Sequence, residues 1–378
     1  MFNKQLYMHE DLINRNASSF NYLLNNVESI PYNDTQQIDV FDDNIFSYVE
    51  KKSWGFYDVI ISKTVFKTDT VLKVAMIGKV NTNTIARNLA LYVTDYDNPL
   101  KLSGRTQILG HIKVPNGRTE QAYINGNSGN HITLKGQASS SNNKLPKINN
   151  VSSIDFSDYD FIPLKDIDKK SIIVNGFDKK GKVIDLNEIT RLDHVVIKGH
   201  VVLISNNELY IDKTAQLNDV LVVAPKVNIL SGFKGNIQII AKEVVEINEN
   251  VSLFYPSSIY VKNDLDSISV TIHKNAKLIG GVVIDGDTYN GSLKHILKIK
   301  EDATVVGNIY CFGRLQLEGD VIGSVYSDRF SLKTASSNYE NVILNGSINR
   351  DSLPKNFVEL PLFKGEINNE KYAIIKEF

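Results

Sequence analysis

Between Leu100 and Val325 one short phrase recurs, and it constrains the fold more than any other feature. Two apolar residues stand two apart; a small or apolar residue follows four later and another two after that; then comes, often, a glycine and an alternating apolar pair. The clearest copies run Val270, Ile272, Ala276, Leu278, Gly280, Val282, Ile284 and Leu297, Ile299, Ala303, Val305, Gly307, Ile309, Cys311, with every position shifted by 27 residues. Leu209, Ile211, Ala215, Leu217, Asp219, Leu221, Val223 repeats it with Asp219 in the glycine place, and Leu100, Leu102, Thr106, Ile108, Gly110, Ile112, Val114 is a fourth copy. Val245, Ile247, Val251, Leu253 and Leu315, Leu317, Val321, Gly323, Val325 are partial copies. Successive starts from Leu209 lie 36, 25, 27 and 18 residues apart, which implies one structural unit with variable loops.

Strict alternation places successive side chains on opposite faces of a strand, so each copy reads as strands with one buried face and none as a helix. Each alternating run stops at a short polar or glycine corner and resumes in the same phase, unlike an antiparallel hairpin. Gly280, Gly307 and Gly323 would supply positive φ or close backbone approach at such corners, and Asp219 tolerates the left-handed region. The fold class expected is mainly β: a parallel β-helix, or solenoid, whose stacked Val, Ile and Leu share one core. A large β-sandwich is the alternative, because it too spaces short strands evenly.

The rest of the chain divides around the repeat. Residues 1–31 read as an amphipathic helix with Leu6, Ile13, Phe20 and Val27 at heptad spacing, ended by Pro31. It would either pack on its own globular unit or act as a stalk. Residues 32–99, with strand-like runs at 54–61 and 71–77, read as a small α+β domain, a plan similar to that of pilin-like proteins. The β-helix would span 100–345, with an excursion over 115–194 that includes the polar loop 137–150. Residues 346–378 would form a C-terminal cap or tail over the open end of the stack.

Forty-two Lys and Arg balance 43 Asp and Glu, so no broad basic face for nucleic acid is expected. The lone Cys311 leaves no internal disulfide framework, and its register makes it a small buried hydrophobe. The seven histidines follow no metal-ligand spacing, no phosphate-binding glycine loop occurs, and no cofactor, metal site or catalytic residue is assigned. Asp285 and Asp287 flank Gly286, a pattern read as a corner turn or as a carboxylate pair in a carbohydrate site. Phe254 and Tyr255 follow a repeat copy where glycine would be expected, so either could project outward or pack beneath a loop. Tyr289 and Tyr310 would line the same groove as the carboxylates.

The phrases LSGRTQILGHIKVP (102–115), SGFKGNIQIIA (231–241), LFYPSSI (253–259) and GNIYCFGRLQLEGDVIGSVY (307–326) together resemble uncharacterised bacterial envelope proteins. Those proteins carry one N-terminal membrane helix and occur beside pilin-like secretion components. The resemblance implies a non-enzymatic, extracytoplasmic structural or adhesive role, with envelope or pilus-like assembly proteins as partners. Membrane attachment would come only through an anchor upstream of residue 1. The glycine phrasing is also similar to that of bactofilins, polymerising cytoskeletal scaffolds. A carbohydrate-binding or carbohydrate-cleaving β-helix protein is the first alternative, and a bactofilin-like polymer the second.

Overall fold

The computed structural model describes residues 2–80, 88–149, 156, 159–162, 171–264, 266–288, 292–363 and 371–378, with side chains from Tyr7 onward. The protein is mainly β, with one long helix at its amino terminus. Its largest element, among the described residues, is a 23-stranded and almost wholly parallel sheet in which successive repeats, or tiers, pair with one another. The phrase predicted from sequence is its register: Val270 faces Leu297, Leu278 faces Val305, Gly280 faces Gly307, and Ile284 faces Cys311. Leu315 and Val325 continue the ladder. The inward residues of every tier merge into one core in which Val270, Leu297, Ile309 and Cys311 are inaccessible to solvent. Each such aliphatic side chain contributes about 1.5–3 kcal/mol relative to exposure.

The glycine corners have the geometry that their residue type implies. Gly280, Gly307 and Gly323 have φ of 147°, 123° and 153°. A Cβ on Gly307 would lie 1.9 Å from the Gly280 carbonyl oxygen, and one on Gly323 would lie 2.0 Å from that of Gly307. Each glycine therefore admits the backbone of the tier below. The other recurrent corner uses left-handed Asn250, Asn275 and Asp302, whose short polar side chains suit positive φ.

Three details correct the sequence register. Asp219, at φ 59°, belongs to a bulge, so Val222 and Ala224 enter the core while Leu221 and Val223 point outward. One extra residue flips every side chain after it. The 36-residue gap after Leu209 contains another tier, Val227, Ile229, Phe233, Ile237 and Ile239, concealed because Phe233 stands where other copies have Ala. The tier at Leu100 does not precede the stack in space. Its strands pair with the last tiers, Leu91 on Val325, Leu102 on Ile343 and Ile108 on Ile348.

Most of the expected excursion is therefore part of the stack. Thr133–Lys135 and Ala138–Ser140 extend it beyond the Leu100 tier, whereas Tyr159–Ile162 and Ile172–Asn175 begin its opposite end. Residues 141–149 leave the first of these ends as a strap. The tail is not a simple cap either: Ser347–Asn349 is a stack strand, and Lys371–Glu377 pairs with the amino-terminal sheet.

That sheet consists of β1 (Gln36–Ile38), β2 (Ser47–Trp54), β3 (Tyr57–Phe66), β4 (Asp69–Val80) and the C-terminal strand. Run 54–61 is not one strand: Gly55, at φ 64°, and Phe56 turn β2 into β3. Helix α1 (Phe2–Asn25) and the 3-10 turn Val27–Ser29 cover one face, where Phe20, Leu23 and Val27 meet Val49, Ile60 and Ile77. The buried stripe includes Leu12 and Asn16, and Ile13 is exposed, so the heptad reading misplaces one residue. The Leu6 side chain lies outside the described residues. Asn16 Nδ2 donates to the Ser62 carbonyl at 2.9 Å, which satisfies a polar group within the interface. The opposite face, Trp54, Tyr57, Val59 and Met76, packs on outward stack residues Val183, Val202 and Leu221. Gln238 fixes the hairpin tip, accepting from the Phe56 N–H at 2.9 Å and donating to the Trp54 carbonyl at 2.8 Å.

Candidate functional site

Along the stack face that meets the sheet, Tyr260, Val283, Tyr310, Tyr326 and Tyr92 occupy one outward row in consecutive tiers. Aromatic residues in register on a strand face form a continuous ledge. The strap crosses this ledge. The Tyr92 hydroxyl donates to the Lys144 carbonyl at 2.9 Å and accepts from the Asn142 N–H at 3.0 Å, and the Tyr310 hydroxyl donates to the Pro146 carbonyl at 3.2 Å. Leu145 and Ile148 pack into the same cluster, and Asn149 bonds the backbone of Pro361 and Leu362.

Between the strap and the tier corners lies a cleft of about 390 Å³, lined by Tyr96, Lys144, Lys147, Asp287, Tyr310 and Phe312 among others. Asp285 is at its base and is buried. Its Oδ2 accepts from the Tyr260 hydroxyl at 2.8 Å and from Lys262 Nζ at 3.3 Å, and its Oδ1 accepts from the Gly286 N–H at 2.8 Å. Burial, reinforced by the Asp285 carboxylate, pushes the Tyr260 phenol up. Burial opposes the Lys262 charge, but Asp285 and Asp287 outweigh it and hold the ammonium above the ordinary lysine value. Asp287 is mostly exposed and has one long contact, 3.4 Å, to Lys262. Gly286 is required where it stands: a Cβ there would lie 2.7 Å from Phe312 Cδ1.

The residues singled out from sequence thus separate. Asp285 and Asp287 share the cleft with Tyr310, but Asp285 is bonded at both oxygens. Phe254 is exposed, one of the two alternatives that its position left open. Tyr255 is not: its hydroxyl donates to the Val358 carbonyl at 3.1 Å and its ring packs on Phe357 at 5.0 Å. Tyr289 lies outside the described residues. Sequence reading missed Phe312, Tyr96, Lys144 and Lys147. Phe312 follows the repeat directly and was legible as an outward neighbour of Cys311, but nothing in the sequence placed the strap lysines above it.

Cys311 is fully buried, and burial pushes its thiol well up. Among the described residues, no group of three or more His, Cys, Asp and Glu is placed to hold a metal ion, and no helix is long and apolar enough to cross a membrane. In comparisons with known families, curated proteins and solved structures, no family, relative or structural neighbour matches the chain.

Proposed function

We propose that the chain is a structural or adhesive component of a bacterial envelope or pilus-like assembly, in which a parallel β-helix presents a rigid surface to partner proteins. The observation that carries this reading is the way the chain closes on itself. Its first tiers dock on its last, its final strand completes the amino-terminal sheet, and the strap is bonded to the ledge at Tyr92 and Tyr310. Such closure suits an element that must transmit load or hold partners at fixed spacing, because the ends of the chain are the places where a stack frays first. The β-helix itself is supported by parallel pairing at one-tier offsets along three rows of strands, typified by Val245 on Val270, Leu253 on Leu278 and Ile259 on Val282. The engaged oxygens of Asp285 favour this role over glycoside cleavage, which needs a carboxylate free to exchange a proton. Envelope placement and pilus-like partners rest on the sequence resemblance.

The test is fractionation of the native host followed by crosslinking. Recovery with the envelope, joined to a pilus-like or membrane component, is the expected result; a cytoplasmic protein with no envelope partner would overturn it. A second reading, end-to-end polymerisation of the bactofilin kind, draws on Ala138–Ser140 and Tyr159–Ile162, strands that among the described residues each pair with one neighbour. Filaments of the purified chain in electron micrographs would favour it, and a monomer at high concentration would remove it.

A further inference from the structure

We propose that the cleft beneath the strap binds an acidic saccharide, with Lys144 and Lys147 taking a sugar carboxylate and Phe312 and Tyr96 the apolar face of a ring. This goes beyond the scaffold role and is independent of where in the cell that role is exercised. The assignment follows from which cleft groups are already engaged. Asp285 is bonded at both oxygens. Asp328 is buried, accepting from the Tyr96 hydroxyl at 2.7 Å through one oxygen and from Arg329 at 3.1 Å through the other. These carboxylates shape the site and have little capacity left for a ligand.

The groups with capacity are of another kind. The Asp287 carboxylate is exposed and, among the described residues, has one contact, 3.4 Å to Lys262 Nζ. Lys144 and Lys147 are exposed on the strap, and among the described residues neither forms an ion pair. Phe312 is partly exposed, and Tyr96, just over a third exposed, has the Arg329 guanidinium over its ring at 4.6 Å. An ammonium pair calls for an anion, whereas Asp287 on the facing wall calls for hydroxyl donors and repels a polyphosphate. A ring that carries several hydroxyls and one carboxylate meets both demands, and its C–H face suits the aromatic side chains. The cleft volume of about 390 Å³ lies within the usual range for small-ligand sites. The strap backbone is fixed by Tyr92 and Tyr310, so the two lysines are attached to an ordered wall.

The experiment is calorimetric titration of the full chain with a hyaluronan tetrasaccharide, with chitotetraose as the neutral probe of equal length and ATP as the polyphosphate probe. The acidic tetrasaccharide should bind at least about tenfold more tightly than either, and affinity should fall with added salt. The Lys144→Ala/Lys147→Ala double variant should lose about tenfold or more in affinity while its unfolding temperature stays unchanged, since both side chains are on the surface. Phe312→Leu should weaken the acidic probe without altering its salt dependence. Absence of binding, equal binding of the neutral probe, tighter binding of ATP, or full affinity in the lysine double variant would each overturn the proposal.

Discussion

The middle of the stack and its seam are built from the same bonds but differ in how the chain reaches them. In the middle, Val270 meets Leu297 and Leu297 meets Leu315, partners one short repeat apart. At the seam, Leu102 meets Ile343 and Ile108 meets Ile348, partners from opposite ends of the sequence. Both are parallel ladders with buried aliphatic residues, and Leu102 and Ile343 are as buried as Leu297. Local stacking therefore forms at small loop-closure cost, whereas the seam must wait until the intervening chain has folded. Stack stability is set tier by tier, but closure depends on the strap and the C-terminal strand.

The comparison can be broken most severely in the middle. Gly307→Ala should destabilise the protein by about 3 kcal/mol or more, because the new Cβ meets a backbone carbonyl at a positive φ, and chemical denaturation will measure it. A wild-type midpoint would show that the corners yield and that tier stacking is looser than the pairing implies.

A smaller effect separates the two regions directly. Leu297→Ala and Leu102→Ala each remove a buried leucine, a change worth about 2–5 kcal/mol. Leu297→Ala should lower the global midpoint by the whole amount. Leu102→Ala should instead accelerate amide exchange at residues 89–121 and 342–349 while the middle stays protected, as expected of a separately opening unit. Uniform exchange in both variants would make the molecule one cooperative block. Tyr92→Phe removes the strap hydrogen bond to Lys144 and should cost about 1 kcal/mol, read as faster exchange at Asn142.

The smallest effect is one of pH. The Thr214 backbone N–H lowers the Asp212 carboxyl; burial opposes this, and the Thr214 hydroxyl and Arg191 add to the lowering. A depressed carboxyl stabilises the fold fully above its ordinary value of 3.8, and this contribution is lost as pH falls through the lower folded value. Asp212→Asn should therefore flatten the acid limb of the stability curve without affecting the seam at neutral pH.

How much of the site was legible follows the same division. Asp285, Gly286 and Asp287 stood out because they end a repeat copy at a corner, and the structure places all three in the cleft. Tyr255 was a fair candidate by position, but its ring packs under residues 357–358, about a hundred positions later, where no periodic signal reaches. Within the polar segment 137–150, Ala138–Ser140 is a strand of the stack, and only 141–149 was readable as a loop from Ser, Asn and Pro content. That it lies across the tyrosine ledge and supplies two lysines to the cleft was not. Hydrogen bonds from Tyr92 and Tyr310 to its carbonyls carry no sequence signature in the loop itself, since any residue offers a carbonyl.

By itself the sequence determined the period-2 strands, the glycine corners, the inward column from Val270 to Cys311 and the mainly β class, because each depends on neighbours within a tier or one tier away. Tertiary structure alone decided that the Leu100 tier caps the last strands, that one bulge at Asp219 turns Leu221 toward the amino-terminal sheet, and that the final strand returns to complete that sheet. The physical reason is range. Alternation and φ preference are properties of a few adjacent residues, whereas the choice of which exposed edge a finished tier meets is made by burial and closure over the whole chain.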